Sequence, residues 1–125
     1  MMQIGEVAAR TELSLRSLRH WDEVGLLRPS GRSDGGFRLY TEDDVEKILV
    51  IRRMKPLGFT LDQMSAAMRD LETLRDPAAR QRHAAARARL GAVLAEATER
   101  RARLVVQLGM ADEFLDQLGA QLGSR

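Results

Sequence analysis

The stretch from Arg80 to Leu122 sets the tightest limit on how this chain folds. It holds no proline, is rich in alanine, arginine and leucine, and repeats in alternating steps of four and three. The steps run through His83, Arg87, Leu90, Leu94, Ala97, Arg101, Leu104, Leu108, Ala111, Leu115, Leu118 and Leu122. That spacing returns one stripe to one side of a helix. From Leu90 onward only Arg101 interrupts the apolar series. Val93, Val105 and Phe114 flank it, so the stripe is wider than a strict two-position seam. An unbroken helix here, rising about 1.5 Å per residue, would reach roughly 60 Å, beyond what the preceding part of the chain would cover. Such a helix needs a partner, most simply a second copy of itself. Packing against its own N-terminal part, or pressing on a neighbouring domain, is the alternative use of the same stripe. Gly91 and Gly109 each cost a helix about 1 kcal/mol relative to alanine, and Gly109 marks a place where the helix would break and fold back. Arg101 would either meet Glu96 or Glu99 across an interface or reach past it to water.

Before this stretch the chain reads as a succession of short, capped elements. "IGEVAART" sets Ile4, Val7 and Ala8 at helical spacing, and the polar step Thr11-Glu12 follows. Ser14 then stands where its hydroxyl would accept from free backbone N–H groups, with Leu15 and Leu18 facing inward and Gly25 ending the helix in the left-handed conformation. Two helices joined by a tight turn, the second exposing Arg16, Arg19 and His20, form the pattern of a helix-turn-helix.

Next, "RPSGRSDGGFRLY" has Asp34-Gly35-Gly36 to supply the positive φ of a hairpin turn, and "FRLY" alternates apolar and polar residues. The alternation puts Phe37 and Leu39 on one face, read as core, and Arg38 and Tyr40 on the other, read as free to meet a ligand. Thr41 with Asp44 predicts a capping box for a third helix carrying Val45, Ile48 and Leu49 inward, with Met54 a further candidate; Pro56 and Gly58 stop it. Thr60 with Gln63 repeats the signature. Leu61, Met64, Met68 and Leu71 stripe a fourth helix that ends by Asp76-Pro77, and Phe59 is read as core. The chain thus divides into a unit over 1–76 and a terminal helix over 77–125, mainly α, with a winged helix-turn-helix first and a dimerisation helix second.

Composition excludes much chemistry. There are no cysteines, hence no disulfide and no thiolate metal site. The two histidines lie 63 positions apart, a poor basis for imidazole ligation. No apolar run approaches the roughly 18 residues that cross a bilayer and no signal sequence opens the chain, which points to the cytoplasm. No carboxylate pair, nucleophile–base set or phosphate loop suggests an enzyme, and no cofactor is expected. Of 20 basic residues 18 are arginine, a planar fork suited to phosphate and base edges, although coding bias also accounts for such abundance. Between Ile4 and Lys55 ten basic side chains face nine acidic ones. Any binding to nucleic acid must therefore come from arginines placed on one face.

Helix-turn-helix, hairpin, capped helix pair and long terminal helix, in that order, resemble the MerR family of bacterial transcription regulators. "IGEVAARTELSLRSLRHWDEVGLL" is similar to that family's opening segment, "GFRLY" to its wing motif usually written GYRLY, and "LGFTLDQM" to the link into its fourth helix. The resemblance covers Ile4 to about Leu71, and the terminal helix matches in kind.

It implies a homodimer joined by an antiparallel coiled coil through Leu90, Leu94, Ala97, Leu104, Leu108, Ala111, Leu115, Leu118 and Leu122. Each copy would place its second helix in the major groove of double-stranded promoter DNA and its wing on the backbone. The family commonly binds an inverted repeat in a promoter spacer and distorts it so that RNA polymerase engages, or represses. By position, Arg16 and Ser17 match base-contacting residues and Arg19 a phosphate-contacting arginine, with Ser14 opening the same surface. His20 and Trp21 replace a pair of tyrosines, and Trp21 is open to either phosphate contact or packing under the wing. Arg38 and Tyr40 keep the wing positions, and Lys55 begins the second wing, where Pro56 departs from the family pattern. The metal and redox sensors of the family use cysteines, absent here, and no residues remain for an appended drug-binding domain; the effector is unknown or absent. Two other readings stand beside this one. An architectural or excisionase-like winged helix would bend DNA for recombination, and a coiled-coil adaptor would bind protein through the Leu104–Leu122 face.

Overall fold

The computed structural model describes residues 1–123. The elements are β1 (Met2–Gln3), α1 (Ile4–Thr11), α2 (Leu15–Glu23), β2 (Gly31–Arg32), β3 (Arg38–Tyr40), α3 (Glu42–Met54), α4 (Leu61–Arg75) and α5 (His83–Gln121). Short 3-10 segments occupy Lys55–Leu57 and Pro77–Arg82. The fold is mainly helical with a small wing.

Local chemistry sets the helix starts. The Ser14 hydroxyl oxygen accepts from the Ser17 N–H at 3.0 Å, and Thr41 with Asp44 and Thr60 with Gln63 form reciprocal capping boxes. Each cap satisfies N–H groups that a helix leaves free at its first turn. Gly25, at φ 76°, turns the chain out of α2. The buried Asp44 carboxylate does more than cap. Its Oδ2 also accepts from the Ser30 hydroxyl at 2.6 Å and the Ser30 N–H at 3.2 Å, which ties the loop before β2 to the start of α3.

The wing holds a strand absent from the sequence-based reading. β1 and β2 both pair antiparallel with β3, in the order β1-β3-β2, with Met2 opposite Tyr40 and Arg32 opposite Arg38. β3 is therefore the central strand. The alternation did group Arg38 with Tyr40 and Phe37 with Leu39, but the faces are the reverse of those expected. Tyr40 is 1% exposed in the core, and Phe37, at the hairpin tip, is 67% exposed. Period two assigns residues to a common face; which face turns inward depends on what packs there, here Trp21 and Leu18 of α2 within the same core. In the turn Gly36 alone takes positive φ, 80°.

The core gathers Val7, Leu18, Trp21, Tyr40, Ile48 and Ile51, closed by Phe59 and Met64. Several expected inward residues lie outside it: Leu15 and Leu61, in the first turns of their helices, are exposed at the rim, as is Phe37, and Leu39 and Leu71 are half-buried. Ile51, Ala67 and Asp70 take inward positions instead.

The chain enters α5 later than Arg80. Pro77 opens a 3-10 segment whose Asp76 cap accepts from the Ala78 N–H, and a kink at the buried Ala79 precedes the helix proper. From His83 the helix runs 39 residues, about 58 Å at 1.5 Å per residue, with no break at Gly109. Its first part lies along α4. Ala86 is fully buried, Val93 and Ala97 pack on the core, and Arg89 grips Asp70 through Nε and a terminal nitrogen at 2.8–3.1 Å. Arg100 stacks over Phe59 at 4.4 Å from the ring centroid and donates to the Leu57 carbonyl. Ala97, expected in a dimer seam, is thus engaged by its own chain, and Leu90 is half-buried. Glu96 and Glu99 are also taken within the chain, by Arg100 and Arg103 respectively, while Arg101 is exposed without an ion pair among the described residues. Beyond Arg100 the helix touches nothing that hides its apolar side chains: Leu104, Leu108, Leu115, Leu118 and Leu122 are all exposed, as is Ala111, and Leu94 is already exposed before that point.

Candidate nucleic-acid interface

The capped α2 turns Arg16, Arg19 and His20 to solvent on one side while Leu18, Trp21 and Asp22 face inward. Lys55, from the 3-10 segment after α3, joins them. Arg16, Ser17, Arg19, His20, Glu23 and Lys55, with one edge of Trp21, line an open concavity of about 790 Å³. Among the described residues Arg16, Arg19 and Lys55 have no carboxylate partner, whereas Arg10, Lys47, Arg75 and Arg89 are committed to Glu42, Asp43, Glu72 and Asp70. Cations left unpaired on one helix face and a flanking turn suit an array of phosphates, since no internal ion pair has to be broken first.

Two expected contacts are placed elsewhere. Trp21 is 3% exposed and packed in the core, with only one edge reaching the concavity. Tyr40 is likewise inside; its hydroxyl has no hydrogen-bond partner among the described residues, and burial pushes the phenol above its ordinary range. An indole and a phenol at these positions supply apolar area that a core this small needs. Ser14 stands at the exposed start of α2, but its hydroxyl is occupied by the cap and by Ser17 Oγ at 3.0 Å.

Arg38 is anchored. Its Nε donates to Asp22 Oδ2 at 2.7 Å, and a terminal nitrogen of Arg32, its cross-strand neighbour, donates to the same oxygen at 2.8 Å. Burial would raise the Asp22 carboxyl, yet the hydrogen bonds from Arg38 and then Arg32 outweigh it and hold the group below the usual carboxylate range. The Asp22 hydrogen bond in turn raises Arg38. Sequence reasoning missed Arg32 and Asp22. The available signal was the pairing register, which sets Arg32 opposite Arg38 once the turn is placed at Gly36.

A helix-turn-helix with its second helix presented, and a hairpin wing bolted to that helix, define a winged helix-turn-helix protein of the DNA-binding class. The model of the MerR HTH family of regulatory proteins matches residues 2–71, and the chain belongs to that family, whose members are DNA-binding transcriptional regulators rather than enzymes. It is 43% identical over 63 residues to an HTH-type transcriptional regulator of Pseudomonas aeruginosa, a match covering 50% of this chain and 48% of that one. The chain spans about half or less of the length of the curated relatives it matches. Among solved structures it is similar to the N-terminal part of MtaN, the multidrug transporter activator of Bacillus subtilis: 30% identity, TM-score 0.51, covering 92% of this chain and 98% of that one. It shares its fold with HiNmlR, a MerR family regulator lacking the sensor domain and bound to promoter DNA, at 21% identity and a TM-score of 0.62 over 97% of this chain and 86% of that one. No helix among the described residues is long and apolar enough to cross a membrane.

Proposed function

We propose that the protein is a cytoplasmic, nucleoid-associated transcription regulator that binds an inverted-repeat promoter operator as a homodimer and distorts it, so that RNA polymerase is engaged or blocked. The observation that carries the reading is the unpaired set Arg16, Arg19 and Lys55, with Ser17 and His20, on one face around α2. Arg16 and Ser17, in the first turn of α2, read bases. Arg19, His20 and Lys55 grip phosphate, Arg38 adds a wing contact, and Ser14 supports the surface by capping the helix. Two-fold pairing is supported by the exposed apolar face of α5 from Leu104 to Leu122, with Leu94 at its edge, in an antiparallel coil whose working length starts beyond Arg100. Leu90 and Ala97 contribute mainly to packing on their own chain. HiNmlR, which shares the fold, is bound to promoter DNA, in keeping with this reading.

Selection of protected fragments from genomic DNA at low salt tests the reading, with a two-fold symmetric footprint expected. Arg16→Ala is expected to relax base preference and cost about 1–3 kcal/mol on the selected site. No protected fragment, or a footprint indifferent to Arg16, would overturn it.

A further inference from the structure

We propose that Asp22 is a positioning residue for DNA binding: a buried carboxylate in the last turn of α2 that fixes the wing arginines Arg32 and Arg38 in their DNA-facing orientation. The inference rests on the DNA-binding reading above and adds a residue of the opposite charge to the machinery.

One oxygen, Asp22 Oδ2, receives both guanidiniums, at 2.7 and 2.8 Å, and its residue is 9% exposed. Arg32 and Arg38 stand opposite each other on neighbouring strands, so the carboxylate joins β2, β3 and α2 at one point. Each guanidinium carries five N–H donors, and each spends a single one on Asp22. The remaining donors are left for phosphate, and the side chains are 48% and 24% exposed, so the pair is held rather than hidden. Without Asp22 the two like charges repel across the hairpin, and each long side chain regains rotamer freedom that must be lost again on DNA. The wing itself is short, two residues in β2 and three in β3, and Tyr40 packs in the core beside α2 while Asp22 supplies the polar tie to the arginines.

Simple charge counting and positioning predict opposite signs. Removing a carboxylate from a DNA-facing surface should tighten binding if only net charge matters. Positioning predicts that Asp22→Asn weakens binding about tenfold, the middle of the usual range for coupled contacts. The probe is a duplex selected by the wild-type protein from randomised DNA, read by fluorescence anisotropy. In the Arg32→Ala/Arg38→Ala background the further change Asp22→Asn should cost nothing, since the residue acts through the two arginines; a merely structural role would cost the same in both backgrounds. Arg32→Lys/Arg38→Lys keeps every charge and leaves Asp22 paired, so it remains informative if Asp22→Asn does not fold. It should weaken binding several-fold, because an ammonium lacks the fork that serves Asp22 and phosphate in one fixed geometry. Equal or tighter binding by Asp22→Asn, or unchanged binding by the lysine pair, overturns the positioning role while leaving the DNA-binding reading intact. A wild-type protein that selects no duplex overturns both.

Discussion

The two halves of α5 share one continuous backbone and one repeat, yet they meet different fates. From His83 to Arg100 one face of the helix is used inside the chain: Ala86 is fully buried, Val93 and Ala97 lie on the core, and Arg89 and Arg100 are bound to Asp70 and Phe59, while Leu94 beside them stays exposed. From Arg101 to Gln121 the same four-three spacing faces solvent, with Leu108 and Leu115 each 63% exposed. A periodic apolar stripe therefore states a need for cover, and its own chain supplies that cover only on the near half of the helix. Exposed apolar side chains in such a run favour association, whereas those on the near half contribute to the stability of the monomer.

The sharpest way to break this comparison is to put charge into each half. Leu108→Asp with Leu115→Asp should abolish self-association in sedimentation experiments and leave the melting of the N-terminal part almost unchanged. Ala86→Asp should instead destabilise that part by about 3–5 kcal/mol, because it strands a charge between α4 and α5. A dimer that survives the leucine substitutions would remove the distal stripe from the interface.

Acid offers a second, smaller test. Hydrogen bonds from Arg89 hold the Asp70 carboxyl below the usual range, and those from Arg38 and Arg32 do the same for Asp22 against the opposing effect of burial. A depressed folded value means the stabilisation is fully present above the unfolded value and lost as pH falls through the folded one. The melting temperature should therefore hold through neutrality and drop below about pH 4, and Asp70→Asn should shallow that drop. A melting temperature unchanged to about pH 3 would show that these pairs contribute little.

The smallest effect expected is for Tyr40→Phe. Since the hydroxyl lies inside without a partner among the described residues, stability should change by no more than about 1 kcal/mol and DNA affinity not at all. A clear loss of affinity would return that hydroxyl to the DNA-facing surface.

These contrasts also show where sequence reasoning holds. Ser14, Thr41 and Thr60 act on N–H groups three residues away, so the helix starts were legible from spacing alone. The unpaired arginines of α2 were legible for the same reason: a short helix with one apolar side has a definite outer face. The wing was read inverted because its inner face is chosen by partners distant in sequence, Met2 in β1 and Asp22 in α2. The Asp22 clamp escaped notice because nothing local distinguishes a carboxylate that binds two arginines from one in water.

By itself the sequence determined the helix boundaries set by caps and glycines, the family motifs and the existence of a long terminal stripe, all of which arise from interactions within a turn or two of the chain. Tertiary structure alone decided that Tyr40 and Trp21 are core, that Arg38 is anchored by Asp22, and that α5 leaves the core near Arg100. Those outcomes depend on which surfaces compete for the same small core and the same carboxylate, a competition between residues far apart in the chain.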